Sequence, residues 1–374
     1  MKQKMKKLVM LAAAGLLLFA TMTGCGRNID VNAVVSTVDG EEIHLGLANF
    51  FARFNQAQYE SFYAGMMGLD PDVMWGQQLM GDEPYEVMVK ESILESLQDM
   101  ILMRQHAGDF DVSITDADRT AITAAAERFI AENTQGDLDV ISGQQGIVEA
   151  FLELFTIQQR MDVAMRAGVD EAVSDTEAAQ KAMDFVFVPF MVAAEDGSSM
   201  MMSEDEMADL TADVKAAFAA GDGDVAAALE SVADDFEAEV QSMTFDADSV
   251  SPDMDFIAAA DALSAVGETT DVIETANGLY IGVLTSLLDR EATDERKENI
   301  VESRRQEQFT DLLEGWREAA EITVNENQWA RVSFERQGVA FRQPEPETEE
   351  ELGIEEVEAP PNDSEYDEAG EPGE

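Results

Sequence analysis

At 374 residues the chain is long enough for two domains, and its 45% hydrophobic content is that of a globular protein with a core. Its 23 Lys and Arg against 78 Asp and Glu give a formal net charge of −55, a field that opposes binding to nucleic acid or anionic lipid headgroups. The single cysteine, Cys25, excludes an internal disulfide and a cysteine-based zinc site, and no metal or cofactor is expected.

The N-terminus reads as an export signal. Lys2, Lys4, Lys6 and Lys7 form a basic region, Leu8 to Thr21 an apolar one, and Met22-Thr23-Gly24 places small residues before Cys25. The apolar run is short for a membrane span. Residues 1–24 resemble a bacterial lipoprotein signal peptide, with Met22 where Leu is usual. The resemblance implies cleavage before Cys25, lipid attachment to it, and tethering to the cell membrane from outside; an uncleaved anchor helix would give the same address.

Ala33 to Val38 is β-branched and apolar, Asp39-Gly40 is a turn, and Glu41 to Leu45 continues extended. Leu47 to Tyr63 has helical spacing, with Phe50, Phe51 and Phe54 on one stripe that either builds a core or captures unfolded segments. Gly65, Gly68 and Asp70-Pro71 stop it. The loop containing Met66, Met67, Met74, Trp75 and Met80 is rich in adaptable apolar side chains and is expected to form an exposed binding edge. Tyr85 to Ala107 is an amphipathic helix, and Thr115 with Asp118 caps the next, Ala117 to Glu132. Asn133 to Gly146 reads as a polar break, Ile147 to Ala167 as a helix, and Ser174 to Glu177 as a capping box opening a short one.

At Met183 the pattern turns to strand, with Asp184 to Phe190 β-branched and aromatic. Ser203 and Glu206 cap a helix to Ala220, and Val225 to Val232 is another. Phe256, Ala259, Ala260 and Leu263 share a helix face, Gly267 ends that helix, and Asn277-Gly278 before the apolar run Leu279 to Leu284 signals a hairpin. Thr293 to Ala320, where Arg and Lys are frequent, reads as a long helix. Ile322 to Val324 and Trp329 to Phe334 read as short extended pieces. Beyond Arg342 there is no Lys or Arg, and prolines lie among Glu and Asp, which predicts a disordered acidic tail.

The order of strand, two helices, Phe256 helix, Gly267-Glu268 and a hairpin through Thr275, Gly278 and Ile281 resembles a parvulin-type peptidyl-prolyl isomerase domain. The valine strand with Asp39-Gly40 and Glu41-Glu42-Ile43, and the helix ending in His106-Ala107 before Val112-Ser-Ile-Thr-Asp116, resemble the N-terminal domain of extracytoplasmic foldases of the SurA and PrsA type. The expected fold class is a mainly α N-terminal/C-terminal chaperone-like domain with an inserted α+β parvulin-like domain. The expected domains are 25–180 helical, 181–290 parvulin-like, 291–334 a C-terminal helix packing on the N-terminal domain, and 335–374 the acidic tail.

Isomerases of this kind hold proline in an apolar pocket and surround the twisting amide, whose barrier is ~18–20 kcal/mol, with a small polar cluster that usually includes two histidines. Here Asp184 and Tyr280 stand at the two imidazole positions. They are the expected catalytic candidates, as replacements for His, and the resemblance makes Phe256 and Met254 pocket residues. Phe50, Phe54 and Trp75 are the expected client contacts in the helical part. The histidines, His44 and His106, lie outside the isomerase-like stretch, which leaves no Ser-His-Asp or Cys-His site. Residues 246–257 lack the Gly and Glu of a calcium-binding loop, carrying Ser251 and Ile257 at those places. The expected function is a membrane-anchored foldase or chaperone that binds exported unfolded polypeptides. The alternatives are an active isomerase and a surface adaptor or binding lipoprotein.

Overall fold

The computed structural model describes residues 18–20, 29–66, 70–78, 82–193, 199–220, 225–335 and 338–341. Cys25, Met67 and Met80 lie outside them, as do residues 342–374. Among the described residues no helix is long and apolar enough to cross a membrane. The chain divides into two compact units, Met1–Met161 with Gly315–Glu374, and Asp162–Glu314.

The first unit is helical around a small sheet. Strands β2 (Val34–Val38) and β3 (Glu41–His44) form a hairpin whose turn residues Asp39 and Gly40 both have positive φ, the twist that a tight two-residue turn requires. Strand β10 (Ile322–Val324) returns from the far end of the sequence to pair antiparallel with β2, while β1 (Leu18–Ala20) pairs with β11 (Val339–Phe341). Ser36 Oγ donates to the Thr323 carbonyl at 2.7 Å and itself accepts from Gln98 Nε2 at 3.0 Å. Gln98 sits on α3 (Tyr85–Gln105), which buries Ile93, Leu94, Leu97 and Ile101. Trp316 stacks on His106 with centroids 4.3 Å apart, and Arg317 reaches Asp99 at 2.6 Å.

Helix α1 (Leu45–Met66) carries the aromatic stripe, and it is core. Phe50 is fully buried against Phe129 and Phe151, and half-buried Phe54 lies 5.2 Å from the Phe151 ring. Trp75, after the short α2 (Pro71–Met74), is 1% exposed, stacks on Tyr85, and donates its indole N–H to Glu60 at 2.9 Å. The expected exposed edge is therefore corrected: Met74 and Trp75 are interior, because Glu60 satisfies the one polar atom of the Trp and so lets the ring bury.

Local chemistry explains the remaining elements. Helix α4 (Asp116–Glu132) opens with a complete Thr115–Asp118 capping box. The expected break at 133–146 contains a further helix, α5 (Gln135–Ile141), opened by a second capping box, Thr134–Asp137. Helix α6 (Gln145–Met165) follows. Ser174–Glu177 makes only a turn and no helix. Towards the C-terminus, the Asn325 side chain caps a short helix, α11 (Glu326–Trp329), by accepting from Gln328 N at 3.3 Å, and the expected extended piece from Trp329 to Phe334 is instead the end of this helix followed by a turn and irregular chain. Ordered chain also runs past the expected start of the tail at 335: Val339 is 1% exposed and its N–H donates to Glu60 at 3.1 Å.

In the second unit, β4 (Lys181–Pro189), β7 (Val240–Phe245), β8 (Ile273–Glu274) and β9 (Gly278–Ser286) form an antiparallel sheet in the order β7-β4-β9-β8. A hairpin of β5 (Met191–Ala193) and β6 (Ser199–Met201) follows β4. Val186, Val188, Leu279 and Ile281 cover one face of the sheet with α7 (Glu204–Ala219) and α8 (Val225–Asp235), through Val214, Leu229 and Val232. The other face packs on α9 (Met254–Asp261). The boundaries of this unit lie outside the expected 181 and 290 for an electrostatic reason. The first turns of α10 (Arg290–Ala319) pair with the acidic stretch before β4: Arg290 and Lys297 with Asp175, Arg304 with Glu177, and Arg305 with Glu171.

The capping Asp118 also accepts two hydrogen bonds from Arg160, at 2.9 and 2.7 Å, and this guanidinium holds its carboxyl down to about 2. With the folded value below the unfolded one, the pair stabilises at neutral pH and loses that contribution as pH falls from about 4 towards 2. Asp118→Asn is expected to cost on the order of 1 kcal/mol at pH 7, allowing for solvent screening, and to flatten the acid loss of stability across that window. Calorimetric unfolding of both proteins from neutral to acid pH measures it; parallel curves would refute it.

Candidate functional site

The strand period of two decides which side chains meet at the expected pocket. In β4, Met183, Phe185 and Phe187 face α9, while Asp184 shares the opposite face with Val186 and Val188. In β9, Tyr280 and Leu284 face α9, while Leu279, Ile281 and Val283 face away. The register pairs Met183 with Leu284, Asp184 with Val283, and Phe187 with Tyr280. Asp184 and Tyr280 are thus on neighbouring strands but on opposite faces, and the expected catalytic pair is not assembled.

What does assemble around Tyr280 is a stack of rings. Phe256, fully buried on α9, stacks on Tyr280 at 4.9 Å and 23°, and Phe187 stacks on Tyr280 as well, at 4.5 Å and 30°. Phe185 approaches Phe256 at 5.6 Å. Gly282 makes room for this: a Cβ there would meet Met183 Cε and would lie 3.0 Å from Phe256 Cζ. Gly278 has the same role at the start of β9, where a Cβ would collide with the Val188 carbonyl and the Phe187 ring. The three rings pack on one another on the face of the sheet that α9 covers.

Polar groups near the stack are few. Burial, and then the nearby Asp253 carboxylate, push the Tyr280 phenol up, so at neutral pH it is a neutral hydroxyl. Asp253 caps α9, accepting from the backbone N–H of Asp255 at 2.9 Å and of Phe256 at 3.2 Å. Asp184, on the far face, accepts from Ser242 Oγ at 2.6 Å across the β4–β7 pair. Met254 heads α9 at 66% exposure and contributes to the surface beside the stack, not to its interior. Met183 holds the inward place given by sequence position to Asp184; counting by twos back from Phe187 and Phe185 finds it. Asp253, in the run Asp253-Met-Asp-Phe256, was legible as a cap.

No family model matches the chain, and no curated protein matches its sequence. Solved structures do align with it, among them the following. One of two SurA-like chaperones of Campylobacter jejuni aligns over 79% of this chain and 100% of its own, at 12% identity and a TM-score of 0.27. The foldase protein PrsA of Lactococcus lactis aligns over 80% and 97%, at 16% identity and a TM-score of 0.30. The peptidylprolyl isomerase PrsA of Bacillus anthracis aligns over 59% and 95%, at 17% identity and a TM-score of 0.25. Likeness at these scores carries no weight for function, which has to be read from this chain's own residues.

Chemically, the α9 face offers aromatic and thioether surface, one neutral hydroxyl and one capping carboxylate. It has no second donor converging with Tyr280 among the side chains described above. Among the described residues there is also no cluster of acids or histidines able to hold a metal ion.

Because Phe256 is interior, Phe256→Ala is expected to act on stability before it acts on any ligand, costing about 3–5 kcal/mol. Asp184→Asn, on the other face, is expected to leave the stack intact. Urea unfolding followed by the near-ultraviolet dichroism of the tyrosines separates them; a Phe256→Ala protein as stable as the parent would contradict the packing described.

Proposed function

We propose that this protein is a lipid-anchored, extracytoplasmic chaperone of the foldase type, in which an isomerase-like module has lost proline turnover. The observation that carries the loss of turnover is the ring stack of Phe187, Tyr280 and Phe256, with Asp184 on the opposite face. Lowering the barrier of a twisting amide takes donors and dipoles aimed at the amide inside an open apolar pocket. The packing of these rings on one another, with Asp184 on the far face, supports this reading.

The chaperone part of the reading is supported by the resemblance of both segments to SurA- and PrsA-type foldases, by the signal-like residues 1–24, and by the surface of the second unit. Large apolar side chains are exposed there: Met191 at 48%, Met200 at 56%, Met201 at 49% and Met254 at 66%. Unbranched thioethers suit contact with many different unfolded sequences. Cys25 is the proposed lipid attachment point, and exported unfolded polypeptides are the proposed clients. Phe50 and Trp75, which are interior, are withdrawn as client contacts, and half-buried Phe54 goes with them.

Two assays test this. The protein is expected to suppress aggregation of a chemically unfolded client at near-stoichiometric amounts, read by light scattering; no suppression sinks the chaperone reading. In a protease-coupled Xaa-Pro assay it is expected to give the uncatalysed rate, and clear acceleration would establish the active-isomerase alternative.

A further inference from the structure

The two edges of the four-stranded sheet differ. On the β8 side, residues 267–275 run along β9 and satisfy it, with Gly267 N to Leu284 O at 2.8 Å, Leu284 N to Glu268 O at 2.9 Å, and Thr270 N to Gly282 O at 3.0 Å. On the other side, β7 pairs with β4 in continuous register over all six residues, and among the described residues no further strand pairs with its outer edge. Val240, Gln241, Ser242 and Thr244 are exposed, Met243 half-buried, and only Phe245 buried. Exposed edges are normally blunted by Lys, Pro or a bulge, and Val-Gln-Ser-Met-Thr-Phe has none of these.

We propose that β7 is a docking edge to which an extended, cationic polypeptide segment adds as a further strand. This rests on the chaperone reading and deepens it by naming how a client backbone is held. Backbone hydrogen bonding is indifferent to sequence, which suits a protein meeting many clients.

Charge selects the occupant. The strand is flanked by exposed Glu237 and Glu239 on one side and by Asp246 and exposed Asp248 on the other. The nearest cations are engaged: Lys181 with Asp261 at 2.9 Å and Arg296 with Asp246 at 3.5 Å. A second copy pairing antiparallel about the middle of β7 would set Glu239 opposite Asp246 and Glu237 opposite Asp248, like charges at both ends, between two chains of formal charge −55. The chain's own terminal segment after Arg342 contains no Lys or Arg and is repelled in the same way. A neutral, β-prone core with Lys or Arg at its ends meets opposite charge at both ends.

The probe is a fluorescent peptide with an alternating Val-Thr core between paired lysines, titrated into the full-length protein. It is compared with the same peptide N-methylated at alternate core amides and with one carrying glutamates for the lysines. Loss of two or more backbone hydrogen bonds is expected to weaken binding about tenfold or more, and the glutamate peptide is expected to bind more weakly still. Amide hydrogen exchange of 240–245 is expected to slow with the first peptide only, and Glu239→Lys is expected to weaken its binding. Equal binding of the N-methylated peptide, or protection elsewhere than β7, overturns the proposal. So does protection of β7 without peptide in a protein that sediments as a dimer. If aggregation suppression persists while N-methylation has no effect, this inference fails alone; if suppression is also absent, the chaperone reading fails with it.

Discussion

The antiparallel pairing of β4 with β9 is the constraint on which the second unit depends. Once Phe187 is set opposite Tyr280, the pleat assigns every other side chain of both strands to a face, and a shift of one residue would reverse them all. The register brings Met183, Phe185, Phe187, Tyr280 and Leu284 to α9 and commits Asp184 to the other side. Gly282 and Gly278 are what allow it, since the close approach of Phe256 and of the Val188 carbonyl leaves no room for a Cβ. The same register makes a well-filled aromatic layer on the α9 face and sets Asp184 apart from Tyr280.

Charge is distributed with a comparable economy. Helix α10, rich in Arg and Lys, is paired along its first turns with Glu171, Asp175 and Glu177, while Arg166 pairs with Asp162 and lies over the Phe309 ring at 4.8 Å. Single exposed pairs of this kind contribute little each, but several on one helix favour the stretch of chain that lies against it. Of the acids flanking β7, Asp246 is paired with Arg296, and acids outnumber bases in the chain by 78 to 23, so the flanks carry a net negative charge.

The buried Glu60 shows how apolar composition can mislead. It accepts hydrogen bonds from Gln56, Trp75 and the Val339 backbone, and burial raises its carboxyl above the ordinary range. By giving the indole N–H a partner it draws a Met- and Trp-rich loop into the core. Exposed apolar side chains remain at several places, Val73 beside that loop among them, and they include a group of methionines on the Met191–Met201 hairpin and at the start of α9.

Signals acting over a few residues were legible in the sequence alone. These include the Asp39-Gly40 hairpin, the capping pairs Thr115–Asp118 and Ser203–Glu206, the Phe256 helix and the Asn277-Gly278 turn, because each depends on backbone geometry and hydrogen bonds within one turn of chain. Thr134–Asp137 was equally local and was passed over because the segment around it is polar. Only the tertiary structure decided that Asp184 lies across the sheet from Tyr280, that Phe50 and Trp75 are interior, and that β7 is a strand at all. The reason is common to all three: face and burial are set by partners remote in sequence, and an edge strand such as Val240–Phe245 has too few apolar neighbours of its own to announce itself without β4 beside it.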